Sequence, residues 1–269
     1  MVKKIERGLG EMRELLERKL ASNWISYRDQ EVAWLLEHLG DESPEIRDGL
    51  AYASLAQAIS QHRLNRKQMR FLIVELQNPR FLNSSHVVMR SFASLLVAII
   101  IRVDGDPDSP WFGILEKEER FYFFQKAIEI LQFEEDWQAY DNEIGWIHAH
   151  AHEADLLTEV GCHPLFPREH WSSIFACLSD VFQDIPRRPR AGEEWRLARV
   201  IHQALLKKCL SQSQVESWLV TCQFPMITPL DLERYETFCS FLMAIYVQLN
   251  KERILSKSLK KRIEDFILY

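Results

Sequence analysis

The chain has 269 residues and 31.8 kDa, with 47% hydrophobic and 27% charged residues, a balance that excludes wholesale disorder and gives ample length for a buried core. A formal net charge of −6 and a pI of about 5.9 exclude a basic surface built for phosphate backbones, so no nucleic-acid partner is expected. Only 9 glycines are present, too few for the turn chemistry of an all-β fold or for glycine-rich phosphate loops.

The apolar pattern is helical nearly throughout. From about Val2 to Leu20, the residues Ile5, Leu9, Met12, Leu15, Leu16 and Leu20 form one stripe at i, i+3, i+4, i+7 spacing. Ser26 is placed to cap a second helix carrying Val32, Leu35, Leu36 and Leu39, with Gly40 where a left-handed terminator is expected. Ser43-Pro44 restarts the chain as a helix that buries Ile46, Leu50, Leu55, Ala58 and Ile59. Further helices are expected over Asn65–Gln77 and Ser84–Val103, closed by the turn-rich loop Asp104–Pro110. Helices then follow near Lys117–Gln132, Asp141–Val160 and Arg168–Gln183. A breaker over Ile185–Gly192 precedes Glu193–Cys209. Gln212–Cys222, Leu230–Leu249 and Ser256–Ile267 close the chain. No alternating, glycine-punctuated strands occur, so no sheet is expected.

From residue 26 onward the helices arrive in pairs at a repeat of roughly 40 residues, the rhythm of helical-pair solenoids. The expected architecture is all-α, an α-α superhelix of antiparallel pairs of the HEAT or armadillo kind, in a single domain over residues 1–269. Five cysteines with no C-x-x-C pair (Cys162, Cys177, Cys209, Cys222 and Cys239) argue against a disulfide framework or a zinc ribbon. The N-terminus lacks the apolar core of a signal peptide, and the longest apolar run, Leu95 to Ile101, falls far short of a membrane span. A cytoplasmic protein is the expectation.

One segment departs from the amphipathic routine. Between Gly145 and Leu157, three of the nine histidines fall within five residues, at His148, His150 and His152. On a helix advancing about 100° per residue, Asp141, His148, His152 and Asp155 stack within roughly 60° of arc, with His150 pointing elsewhere. Three readings fit. The imidazoles and carboxylates can form a buried hydrogen-bonded ladder, with Asp155 accepting from His148 or His152. They can line a binding groove. Or His148, His152 and Asp155 can supply two nitrogens and one oxygen to a divalent transition metal with an open water position.

The same stretch resembles a bacterial family known as domain of unknown function 2785, with the signature G-W-x-H-A-x-A-H-x-A-D-L-L. Gly145, Trp146, His148, Ala149, Ala151, His152, Ala154, Asp155, Leu156 and Leu157 match it, while Glu153 stands where members carry Gly. Softer matches lie at Arg47–Tyr52, Arg90–Leu96 and Arg196–Arg199. The resemblance implies an all-helical, armadillo-like domain with no assigned reaction.

Arg196 and Arg199 sit one turn apart and can hold a carboxylate or phosphate, or form a surface ion-pair row in which Glu193 pairs with Arg196. Phe121, Phe123, Phe124 and Phe133 are expected to fill a helix-pair core, and the Lys-rich last helix to cap the solenoid. No G-x-S-x-G, P-loop or G-x-G-x-x-G occurs. The function expected is that of a non-enzymatic scaffold without a cofactor, binding a protein or peptide around Trp146, His148, His152, Asp155, Arg196 and Arg199. The alternative is a metal-binding domain or metal-assisted hydrolase using His148, His152 and Asp155.

Overall fold

A computed structural model describes residues 2–22 and 26–267, with side chains from Gly10 onward. The expected contributions of Ile5 and Leu9 to the first stripe lie outside those described side chains. Among the described residues the protein is all-α apart from one short hairpin. The chain forms two compact units, the first running to Leu115 and including Tyr140–Ile147, the second made of Glu116–Ala139 and the chain from His148 onward.

In the first unit, α1 (Val2–Ala21) is followed by α2 (Asp29–Glu37), α3 (Pro44–Ile46), a π-helical stretch Arg47–Tyr52, α4 (Ala53–Ser60), α5 (Arg66–Glu75) and α6 (Val87–Gly105). Arg28 rather than Ser26 caps α2, and its backbone N–H is bonded by Glu31 at 2.7 Å. The Ser43-Pro44 restart is realised, with Pro44 opening α3. Asn65 opens α5 through a reciprocal box: its side chain accepts from the Gln68 N–H, and the Gln68 side chain accepts from the Asn65 N–H, both at 3.0 Å. Helix α6 is apolar on nearly every face because it is buried on nearly every face, Leu96, Val97, Ile100 and Ile101 being fully enclosed. No helix among the described residues is long and apolar enough to cross a membrane.

Also in the first unit, β1 (Tyr140–Asp141) pairs antiparallel with β2 (Gly145–Trp146). This hairpin replaces the first two turns of the helix expected from Asp141. The reason is local. The Asp141 carboxylate accepts from the N–H groups of Glu143 and Ile144 at 2.8 and 3.1 Å, and Gly145 takes φ +75°, so the backbone is committed to a turn.

The second unit contains α7 (Lys117–Phe133), α8 (Ala149–Gly161), α9 (Trp171–Asp184), α10 (Glu193–Leu206), α11 (Gln212–Thr221), α12 (Pro229–Lys251) and α13 (Lys257–Ile267). Helix α8 packs on α7 and α10, and α10 packs on α12. Contacts between α7 and α9 advance together along both helices: the Cys177 thiol bonds the Ile128 carbonyl, and Gln132 donates to Asp180 at 2.7 Å. These two helices therefore run side by side in one direction. Phe123 and Phe124 are buried as expected, but Phe121 and Phe133 are 50% and 71% exposed, because the apolar stripe of α7 is narrower than its phenylalanine content.

Candidate functional site

Helix α8 begins at Ala149, and His148 is its N-cap in the left-handed region at φ +51°, with its carbonyl accepting from the His152 N–H at 2.9 Å. A non-glycine residue in that region is uncommon. Its consequence is that His148 does not continue the helical line drawn through His152 and Asp155. Asp141 leaves that line as well, since it belongs to the hairpin, as does Trp146. Trp146 is 48% exposed and meets Tyr140 edge-on at 5.0 Å.

His148 and His152 are neighbours, and His150 lies in surroundings of its own. The His148 Nδ1 lies 3.8 Å from Glu193 Oε1. Glu193 is itself buried, and its other oxygen accepts from the Ala191 N–H at 3.1 Å. Burial alone raises this carboxyl, but the facing His148 ring and the backbone N–H groups outweigh it and hold Glu193 below the usual carboxylate value. Glu193 thus serves His148 and not Arg196. His152 is buried with its ring 5.7 Å from that of His148. His150 stacks on Trp137 at 3.6 Å, and its Nδ1 faces the Asp136 carbonyl at 3.1 Å.

Asp155 is the centre of the polar face. It accepts from Arg196 at 2.9 and 3.1 Å and from Arg199 at 2.8 Å, which replaces the expected ladder from His148 or His152. Burial raises the Asp155 carboxyl, and the two guanidiniums oppose that without cancelling it. The carboxylate is only 14% exposed, whereas Arg196 and Arg199 are 44% and 39% exposed. One carboxylate shared by two cations leaves a surplus positive charge on a surface open to solvent. Trp195, 48% exposed, lies on the same helix. His202, one turn past Arg199, is held down at about 4 by burial, with Arg199 adding to the effect.

The expected metal ligands therefore have other neighbours: Asp155 faces guanidiniums and His148 faces Glu193. Among the described residues no group of three or more His, Cys, Asp or Glu side chains is arranged to hold a metal ion. The register of α8 on α10 follows from the same contacts. His148 meets Glu193, and Asp155 meets Arg196 and Arg199, so both helices advance in one direction, with α9 as the return segment.

Burial of His150 has a pH consequence. Desolvation outweighs the nearby Glu134 and Glu193 and lowers its value from 6.5 to about 4. As pH falls through 6.5 the unfolded chain takes up a proton that the folded chain refuses until about 4. Stability is therefore fully present above 6.5 and declines toward pH 4. Thermal midpoints of His150→Phe, which retains a ring against Trp137, are expected to fall less steeply over that window than those of the unaltered protein. Parallel slopes would contradict burial of a neutral imidazole.

The fold and this face define an all-α protein whose polar surface is built on a carboxylate clamped between two arginines. The chain belongs to the family described as Protein of unknown function (DUF2785), whose model matches residues 81–253. That span takes in α6 through α12 and every residue of the clamp, while the Arg47–Tyr52 stretch lies before it. No curated protein and no solved structure gives a significant match.

Proposed function

We propose that the protein is a non-enzymatic helical scaffold of the HEAT or armadillo kind, which holds an acidic peptide or protein segment against the α10 face bearing Trp195, Arg196 and Arg199. The observation that carries this reading is the sharing of Asp155 by two guanidiniums that remain about two-fifths exposed. A carboxylate of a partner finds two forked donors already oriented, and an exposed indole beside them offers apolar contact. The solenoid part of the reading is supported by alternate helices running in one direction, α7 with α9 and α8 with α10, which is how stacked helix pairs build extended faces.

The test is selection from a random peptide library on the immobilised protein, in parallel with Arg196→Glu/Arg199→Glu. Acidic sequences are expected to be enriched, with affinity falling on the order of 10- to 100-fold in the reversed-charge variant. Raising the salt concentration is expected to weaken the unaltered protein's binding. Recovery of the same peptides by both proteins, or no enrichment of acidic residues, would overturn the proposal.

A further inference from the structure

The C-terminal ends of α8 and α10 bring together two cysteines that the clamp does not use. Cys162 caps α8, its N–H bonded to the Thr158 carbonyl at 3.1 Å. Cys209 lies in the tight turn after α10, where Lys208 takes φ +59° and the Cys209 N–H reaches back to the Ala204 carbonyl at 2.8 Å. The Cys209 thiol lies 3.6 Å from the Cys162 carbonyl and 3.7 Å from that of Lys207. Both are unbridged, Cys162 buried and Cys209 half-buried. The other three thiols bond elsewhere: Cys177 to the Ile128 carbonyl, Cys222 to that of Trp218 and Cys239 to that of Phe266.

We propose that Cys162 and Cys209 form an oxidation site, converted by a small-molecule disulfide into an intramolecular bridge between the end of α8 and the turn after α10. The more accessible Cys209 sulfur loses its proton and attacks one sulfur of the oxidant. The oxidant's S–S bond breaks, and the departing thiolate takes up a proton. The Cys162 sulfur, deprotonated in turn, attacks the Cys209 sulfur of the mixed disulfide and expels the second oxidant thiolate, which is also protonated. Two protein thiols are oxidised and one disulfide is reduced to two thiols, so the exchange balances.

A Cys209 sulfur already 3.6 Å from the Cys162 main chain needs little backbone movement to approach disulfide geometry. The bridge fixes the register of α8 on α10, the same register that seats Asp155 between Arg196 and Arg199. Burial pushes the Cys162 thiol up to about 12, with Lys207 opposing and Glu159 and Cys209 reinforcing. The closing step is therefore slower than the first at neutral pH and quickens in alkali.

The experiment treats the folded full-length protein with 2-hydroxyethyl disulfide at neutral and at alkaline pH, then blocks free thiols and maps the digest. A peptide linking Cys162 to Cys209 is expected, in a chain two hydrogens lighter, reversed by excess dithiol. Cys162→Ala is expected to stop at the Cys209 mixed disulfide, and Cys209→Ser to leave Cys162 reduced. The thermal midpoint of the oxidised protein is expected to rise above that of the reduced one, and Cys209→Ser should show no such rise. Bridges through Cys177, Cys222 or Cys239, or a Cys209 mixed disulfide that persists in the unaltered protein in alkali, would overturn the proposal. So would thiols left untouched.

Discussion

Replacing Arg47 by alanine is expected to cost about 3–5 kcal/mol of folding stability, measured by urea unfolding, because the change removes a fully buried guanidinium from its hydrogen-bond partners. The side chain is 0% exposed, yet its hydrogen-bonding groups are engaged. Nε donates to Asp48 at 2.6 Å, one terminal nitrogen to the carbonyls of Asp41 and Glu42 at 3.0 and 3.5 Å, and the other to Ile144 and Trp146 at 2.9 and 3.1 Å. The guanidinium also lies 4.9 Å from the centre of the Phe92 ring. It therefore ties the start of the π-helical stretch to the β1–β2 hairpin. Alanine removes the donor that those carbonyls accept from. Arg47→Lys keeps the charge but brings a point donor in place of a planar fork, so it is expected to recover less than half of the loss. A loss below about 1 kcal/mol for alanine would show that the network contributes little beyond its own desolvation.

The hairpin explains how far the sequence carried. Periodicity located the helices because a buried stripe every three or four residues is a property of the chain alone. Where it failed, the competing signal was local turn chemistry. Asp141-Asn142-Glu143-Ile144-Gly145 contains an aspartate placed to bond two following N–H groups and a glycine suited to positive φ. Those features were readable beside the helical stripe and weigh against starting a helix at Asp141. The left-handed His148 was not readable. Nothing in its residue type demands φ +51° at the position that caps α8.

The site was legible in its membership more than in its wiring. The sequence marks His152, Asp155, Arg196 and Arg199, and the last three meet in space. What a single helix cannot reveal is that the partners of Asp155 come from α10, and the ladder reading pairs the carboxylate with the nearest imidazoles in sequence. Glu193 was assigned to Arg196 by the same short-range logic, whereas its burial turns it toward His148. Arg47 drew attention only as part of a soft family match. An arginine on the inward stripe of a helix, among Leu50, Leu55 and Ile59, is the signal that marks it, since a guanidinium enters such a position only when its donors are satisfied.

The wiring of Asp155 is expected to show in two double-mutant cycles. Asp155→Asn should destabilise the protein by about 2 kcal/mol, since it removes the negative charge and turns one of the two acceptor oxygens into a donor facing guanidiniums. Because Arg196 and Arg199 are partly exposed, solvent recovers some of their hydration, which keeps the loss below that of a fully enclosed pair. Combined with Arg199→Ala, the change should be clearly non-additive, by on the order of 1 kcal/mol, because the second substitution removes an interaction the first has already broken. Combined with His148→Gln, it should be additive. Seven residues separate the two positions by about 10 Å along the helix, His148 facing Glu193 and Asp155 facing the guanidiniums. The raised Asp155 carboxyl adds a pH signature of defined sign. A folded-state value above the ordinary aspartate value of 3.8 means that the folded chain binds the proton more tightly, so this group's contribution to stability falls as pH rises from 3.8 through the folded value. Asp155→Asn should lack that decline. Coupling to His148 in place of Arg199 would restore the histidine ladder and remove the arginine clamp on which the binding proposal stands.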